Sequence, residues 1–82
     1  MKILPLHSEI VRYIKARGLL KRFEKQSRLF VANLNHPSLE MGLLEPRHLR
    51  IFSFRLNRKY RAIFIFQDRE TIEVIDINNH YQ

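Results

Sequence analysis

The sequence predicts an α+β fold: an N-terminal edge strand and a two-helix hairpin packed on one face of a mainly antiparallel sheet. Apolar residues recur at helical spacing up to Leu34 and at period two from His48 onward. Helix and strand signals are thus segregated along the chain rather than alternating, which favours α+β over a parallel, doubly wound sheet. No repeat, low-complexity tract or Ser/Pro linker interrupts the 82 residues, so residues 1–82 read as one domain.

The elements follow in order. Lys2–Leu6 is apolar and reads as a short edge strand, where Pro5 is tolerated. Ser8 is an N-cap candidate for a first helix from Glu9 to Arg17, with Ile10, Val11 and Ile14 to one side. Gly18 breaks that pattern. A second helix spans Leu19 to Asn33, with Leu20, Phe23, Ser27, Phe30, Val31 and Leu34 on an apolar stripe. Lys21, Arg22, Lys25 and Arg28 lie opposite, as either a solvated face or a docking surface for a phosphate backbone. Asn35-His36-Pro37-Ser38 ends the helix, because proline disfavours helix in the residue before it. Leu39–Arg47 reads as a loop with a helical turn. Leu49–Leu56, Tyr60–Phe66 and Ile72–Ile77 are rich in Phe, Ile and Val and read as three strands joined by short turns.

Alternation sets the register. Phe52, Phe54 and Leu56 share one face, as do Tyr60, Ala62, Phe64 and Phe66. A turn at Asn57-Arg58-Lys59 pairs Leu56 with Tyr60 and sets Arg55 opposite Arg61, both pointing away from the helices. A slip of a single residue would send Arg61 into the core. A turn at Arg69-Glu70 pairs Phe64 with Ile75 and Ala62 with Ile77. The outer face then carries Ser53, Arg55, Arg61, Asp76, Asn78 and His80, together with Ile51, Ile63 and Ile65. Opposed like charges destabilise a sheet unless an anion lies between them. Asp76 or a bound phosphate would serve.

Composition narrows the function. Lys and Arg number 15 against 8 Asp and Glu, a net charge of +7. The excess lies in residues 1–61, whereas residues 62–82 carry one Arg against Asp68, Glu70, Glu73 and Asp76. A folded basic surface of this strength favours a polyanionic partner, nucleic acid above all. The absence of Cys excludes disulfides, thiolate zinc sites and cysteine nucleophiles. Gly18 and Gly42 are the only glycines, so there is no phosphate-binding glycine loop. The longest apolar run, Ala62–Phe66, is too short to span a membrane, and Met1–Pro5 is too short for a signal peptide. A cytoplasmic protein without a cofactor is expected. His7, His36, His48 and His80 fall in unrelated elements and form no metal motif. Ser8, Ser27, Ser38 and Ser53 lie outside any nucleophile-elbow context.

RNA cleavage asks for less apparatus, because the substrate supplies its own 2′-hydroxyl nucleophile. The protein must take one proton, stabilise charge on the phosphoryl group and return a proton to the leaving oxygen. Glu45, Arg61 and His80 with Tyr81 are candidates for these roles. Each also has an ordinary reading: a loop acid, a paired arginine, a chain end packed on the core.

The stretch from Phe52 to Phe64, with Arg55, a short turn and Tyr60-Arg61 before an apolar run, resembles the paired central strands of the RelE/ParE toxin superfamily. The order of edge strand, two helices and Pro-containing loop is also similar. Glu45-Pro46 and the ending Asn79-His80-Tyr81 most resemble the YoeB-type branch. Two departures are the shorter segment between Glu45 and Arg61, and Gln82 after the terminal pair. The resemblance implies a RelE-like fold and a toxin of a type II toxin–antitoxin pair that cleaves messenger RNA on the ribosome without metal. It implies a cognate antitoxin as partner, with ribosome and messenger RNA as targets, and it allows a homodimer. Glu45 would be the general base, Arg61 the phosphate-stabilising arginine, and His80 or Tyr81 the general acid. Arg47, Arg50, Arg55, Arg58 and Lys59, with Lys21, Lys25 and Arg28 of the second helix, would bind RNA. Other members of the superfamily inhibit DNA gyrase instead, and an inactive RNA-binding member would share the same fold.

Overall fold

The computed structural model describes residues 1–79. The chain runs β1 (Lys2–Ile3), α1 (Ser8–Ala16), α2 (Leu20–Ala32), β2 (Gly42–Leu43), β3 (Phe52–Arg55), β4 (Tyr60–Asp68) and β5 (Thr71–Asn79). The strands form one sheet in the order β1-β5-β4-β3-β2. All neighbours are antiparallel except β1 and β5, which pair in parallel. The expected α+β architecture, with its N-terminal edge strand and helical hairpin, is therefore present. His80 and Tyr81 lie outside the described residues.

The helices cover one face of the sheet through an aromatic core. Phe30 of α2 stacks on Phe54 at 5.2 Å and meets Phe64 edge-on at 5.3 Å between ring centroids. Ile10, Ile14, Leu19, Phe23, Leu39, Leu56, Ala62, Ile72, Val74 and Ile77 complete the buried cluster. The buried side of α2 is set by Leu19, Phe23, Gln26 and Phe30, at offsets of four, three and four residues. That stripe is rotated from the one expected. Leu20 and Val31 are exposed, and Gln26 rather than Ser27 enters the core. Gly18, at φ 66°, turns the chain between the helices. Ser8 is the first helical residue, not the N-cap. The N-cap is His7, whose ring is engaged by Glu73 at 2.6 Å instead of capping the helix.

The β3–β4 pairing is the one alternation dictates. Arg55 faces Arg61, Phe54 faces Ala62 and Phe52 faces Phe64. The Asn57 side chain closes the turn by accepting from the amides of Lys59 (2.9 Å) and Tyr60 (2.8 Å). β3 is shorter than expected. Arg47–Leu49 forms a 3₁₀ turn and Arg50 adopts φ 55°, which breaks the extended chain before Phe52. Upstream, Gly42–Leu43 leaves the expected loop to pair with Ser53 and Phe52 as β2.

Ala62 faces Ile77 as expected, but Phe64 faces Val74 rather than Ile75, because the register shifts between Ile63 and Phe64. The cause lies in the sequence of β5. Ile72 and Val74 are even-numbered and Ile77 is odd, so strict alternation cannot bury all of them. One extra residue at Ile75 resolves the conflict. Ile75 is 39% exposed while Ile72, Val74 and Ile77 are buried. A second shift between Phe66 and Asp68 restores the register before the Arg69-Glu70 turn. Phe66 is exposed rather than part of the core, and Ile63 is buried on the opposite face.

Candidate active site and basic cleft

The centre of the candidate site is the Arg55–Arg61 pair on the sheet face away from the helices. Their strand positions are directly opposite, which would place two like charges together. Glu40 resolves that conflict, and Asp76 does not. The 3₁₀ turn Pro37–Leu39 delivers Glu40 to the site in a left-handed conformation, φ 44°. One carboxylate oxygen of Glu40 accepts from Arg55 Nη1 at 2.9 Å, and the other lies 3.7 Å from Arg61 Nη1. Asp76 instead accepts from the amide of Ile77 at 2.9 Å.

Arg61 is fixed by more than charge. Its Nε donates to Ser53 Oγ at 2.8 Å, and its Nη2 donates to the backbone carbonyl of Glu40. Ser53 is itself buried. The Arg61 side chain is only 13% exposed, whereas that of Glu40 is 55% exposed. Burial pushes the Arg61 guanidinium below its ordinary pKa; Glu40 counters that shift and Arg55 adds to it. Arginine remains a cation under such a perturbation, so Arg61 is a partly desolvated, pre-positioned positive charge.

Arg55 is held from behind. Its backbone carbonyl accepts from Gln26 Nε2 at 2.8 Å, and the same nitrogen donates to Ser38 O at 3.2 Å. This buried amide ties α2 to β3 and to the turn that delivers Glu40. Arg55 Nε also donates to Asn57 O at 3.2 Å.

Beside this pair, α2 and the β3–β4 turn enclose an open cleft of about 440 Å³. Arg22, Lys25, Arg55, Arg58 and Lys59 line it, with Asn57 and Ser38 between them. Four of those cations are expected RNA ligands; Arg22 belongs to the basic face of α2 but not to the RNA ligands singled out from it. Its signal was present in the sequence, since Arg22, Lys25 and Gln26 share one side of a helix at three- and four-residue spacing.

The remaining expected RNA ligands are dispersed. Arg50 lies over the Phe52 ring at 5.1 Å, in a hollow with Leu49 and Phe66. Arg28 borders an apolar groove with Ile3, Val31 and Ala32. Lys21 is exposed on α2, and Arg47 is exposed in the 3₁₀ turn. Glu45 is exposed just beyond β2, and no hydrogen bond or ion pair joins it to Arg55 or Arg61. The structure thus brings Arg55 together with Arg58, Lys59 and Lys25 along the cleft, and joins Arg55 to Arg61 through Glu40. β5 reaches Asn79, opposite Tyr60 and one position from the Arg61–Asn78 pair. Among the described residues, no cluster of His, Cys, Asp or Glu could hold a metal. No described helix is long and apolar enough to cross a membrane.

No family model and no curated protein matches the sequence. Solved structures do match. A YoeB/ParE toxin from Agrobacterium tumefaciens is 15% identical with a TM-score of 0.69, over 99% of this chain and 100% of its own. A chain of the heterotetrameric YoeB-YefM toxin-antitoxin complex from Staphylococcus aureus is 17% identical with a TM-score of 0.68, over 98% of this chain and 94% of its own. A second YoeB-YefM complex from Staphylococcus aureus gives 15% identity and a TM-score of 0.69, over 96% of this chain and 95% of that one. The described residues therefore have the YoeB/ParE toxin fold.

Proposed function

We propose that this protein is the toxin of a type II toxin–antitoxin pair and a ribosome-dependent endoribonuclease acting on messenger RNA. The observation that carries this reading is the Arg55–Arg61 pair, pre-positioned on the sheet face away from the helices, beside a cleft lined by further cations. Two guanidiniums meeting at one exposed carboxylate suit a phosphoryl group, whose three oxygens offer more acceptors than the carboxylate does. Structures with this fold are named as toxins, and two of them are complexes with the antitoxin YefM. A cognate antitoxin presenting acidic side chains would complement the basic cleft of this chain.

In the proposed reaction the RNA 2′-oxygen attacks the adjacent phosphorus and its proton passes to Glu45. Arg61, with Arg55 beside it, stabilises the negative charge that builds on the phosphoryl oxygens. The bond to the 5′-oxygen breaks, and His80 or Tyr81 donates the proton that oxygen takes up. The products are a 2′,3′-cyclic phosphate and a 5′-hydroxyl. With Glu45, Arg61 and His80 or Tyr81 assigned to the three needs of the step, the proposal calls for no metal or cofactor. Glu45 must approach the phosphate from its exposed loop when RNA binds, and catalytic contacts commonly tighten only in the substrate complex.

The test is induced expression in a bacterial host with primer extension on a reporter transcript. Wild type should produce new, translation-dependent 5′ ends. Arg61→Ala should reduce cleavage by about 10²–10³-fold, as expected for removing a transition-state donor. Arg61→Lys should not restore it, because an ammonium lacks the planar fork. Growth arrest with intact transcripts would overturn the nuclease reading and move the target to gyrase or another protein. RNA binding without arrest or cleavage would indicate an inactive member of the fold.

A further inference from the structure

The anion site formed by Arg55 and Arg61 is already filled by the chain's own Glu40. We infer that Glu40 is an internal competitor for this site: its carboxylate holds the two guanidiniums in the phosphate-free protein and must swing out for a phosphoryl group to bind. This rests on the phosphate-binding role proposed for Arg61.

The contacts that hold the two arginines divide into two kinds. The Glu40 backbone carbonyl accepts from Arg61 Nη2, and Ser53 Oγ accepts from Arg61 Nε at 2.8 Å. These contacts do not depend on the Glu40 side chain, so Arg61 stays in place when the carboxylate leaves. The carboxylate contacts, to Arg55 Nη1 at 2.9 Å and to Arg61 Nη1 at 3.7 Å, come from a side chain that is largely in solvent. Exposed ion pairs are weak and exchange readily with solvent and other anions. The same carboxylate lowers the local positive potential until it is displaced. Glu40 therefore sets affinity for the phosphoryl group without touching the reacting atoms.

The experiment uses a fluorescent 2′-deoxy oligonucleotide, which lacks the nucleophile and reports binding alone. Its Kd should fall about threefold to fivefold in Glu40→Gln, the equivalent of one exposed ion pair. Glu40→Gly should give the same gain, since glycine accepts the positive φ and keeps the carbonyl contact. Glu70→Gln removes the same charge at the β4–β5 turn, so its Kd should remain within about twofold of wild type. In parallel, inorganic phosphate is titrated while the Nε–H resonances of Arg55 and Arg61 are followed. Both should move at lower phosphate in Glu40→Gln than in wild type. If both Glu40 variants bind like Glu70→Gln, or if phosphate leaves the two arginine resonances unmoved in every variant, the inference is wrong. The readout needs no cleavage, so it can fail while the nuclease stands, and it can hold if the primer-extension test fails.

Discussion

At the residue scale, the side chains that organise the site are polar residues that periodicity does not single out. Gln26 occupies a core position on α2, where its amide serves two carbonyls on separate elements. Gln26→Leu keeps the volume but strips both carbonyls of their donor. Urea unfolding should show a loss of about 1–3 kcal/mol, the penalty for leaving buried polar groups unpaired. The neighbouring Ser27 is the opposite case. Its buried hydroxyl finds no partner among the described residues, so Ser27→Ala should be neutral or stabilising by up to about 1 kcal/mol in the same assay. Periodicity drawn through Leu20, Phe23, Phe30, Val31 and Leu34 carries Ser27 inward by spacing alone and passes over the polar Gln26. A lone glutamine in register with Leu19, Phe23 and Phe30 was the signal available. Glu40 was hidden for a different reason. Its role depends on a 3₁₀ turn and a left-handed residue, neither of which has a periodic signature.

At the element scale, β3 and β4 were legible and β5 was legible only in part. The turn at Asn57–Lys59 and the Arg55–Arg61 register follow from alternation, because any slip would bury arginine. In β5 the parity conflict between Val74 and Ile77 was visible in the sequence, yet its resolution by a bulge needs the three-dimensional packing. The bulge makes a specific prediction. Ile75→Thr should change stability by no more than about 0.5 kcal/mol, whereas Val74→Thr should cost about 1–3 kcal/mol by burying a hydroxyl. The reverse order in thermal or urea unfolding would show that β5 follows strict alternation. β5 is also tied to the N-terminal segment through Glu73, which is bonded by His7 at 2.6 Å and Gln67 at 2.5 Å. Those bonds, His7 first, hold the Glu73 carboxyl below its ordinary pKa. Its contribution is therefore present above the unfolded-state pKa and is lost as pH falls through the lower folded value. Unfolding midpoints should drop on acidification below the ordinary glutamate range, and Glu73→Gln should flatten part of that slope.

At the scale of the whole molecule, charge is distributed by topology rather than by sequence position. The acidic stretch from Asp68 to Asp76 lies on β4, β5 and their turn, whereas cations from α2 and the β3–β4 turn converge on the cleft. Sequence could count these cations but not assemble them: Arg22 and Arg58 are 36 positions apart and become neighbours only when α2 packs on the sheet. The cleft should therefore behave as one electrostatic unit, separate from the Arg50 hollow and the Arg28 groove. Each phosphate neutralised on a single strand contributes about 0.7 to the slope of log affinity against log salt. Arg58→Ala with Lys59→Ala should weaken binding of the 2′-deoxy oligonucleotide and lower that slope by about 1.4, two phosphate contacts' worth. Arg28→Ala with Arg50→Ala removes the same net charge outside the cleft and should leave the slope nearly unchanged. Equal losses from the two pairs would mean that the basic surface binds as a diffuse field, and that the convergence of α2 with the β3–β4 turn has no part in holding RNA.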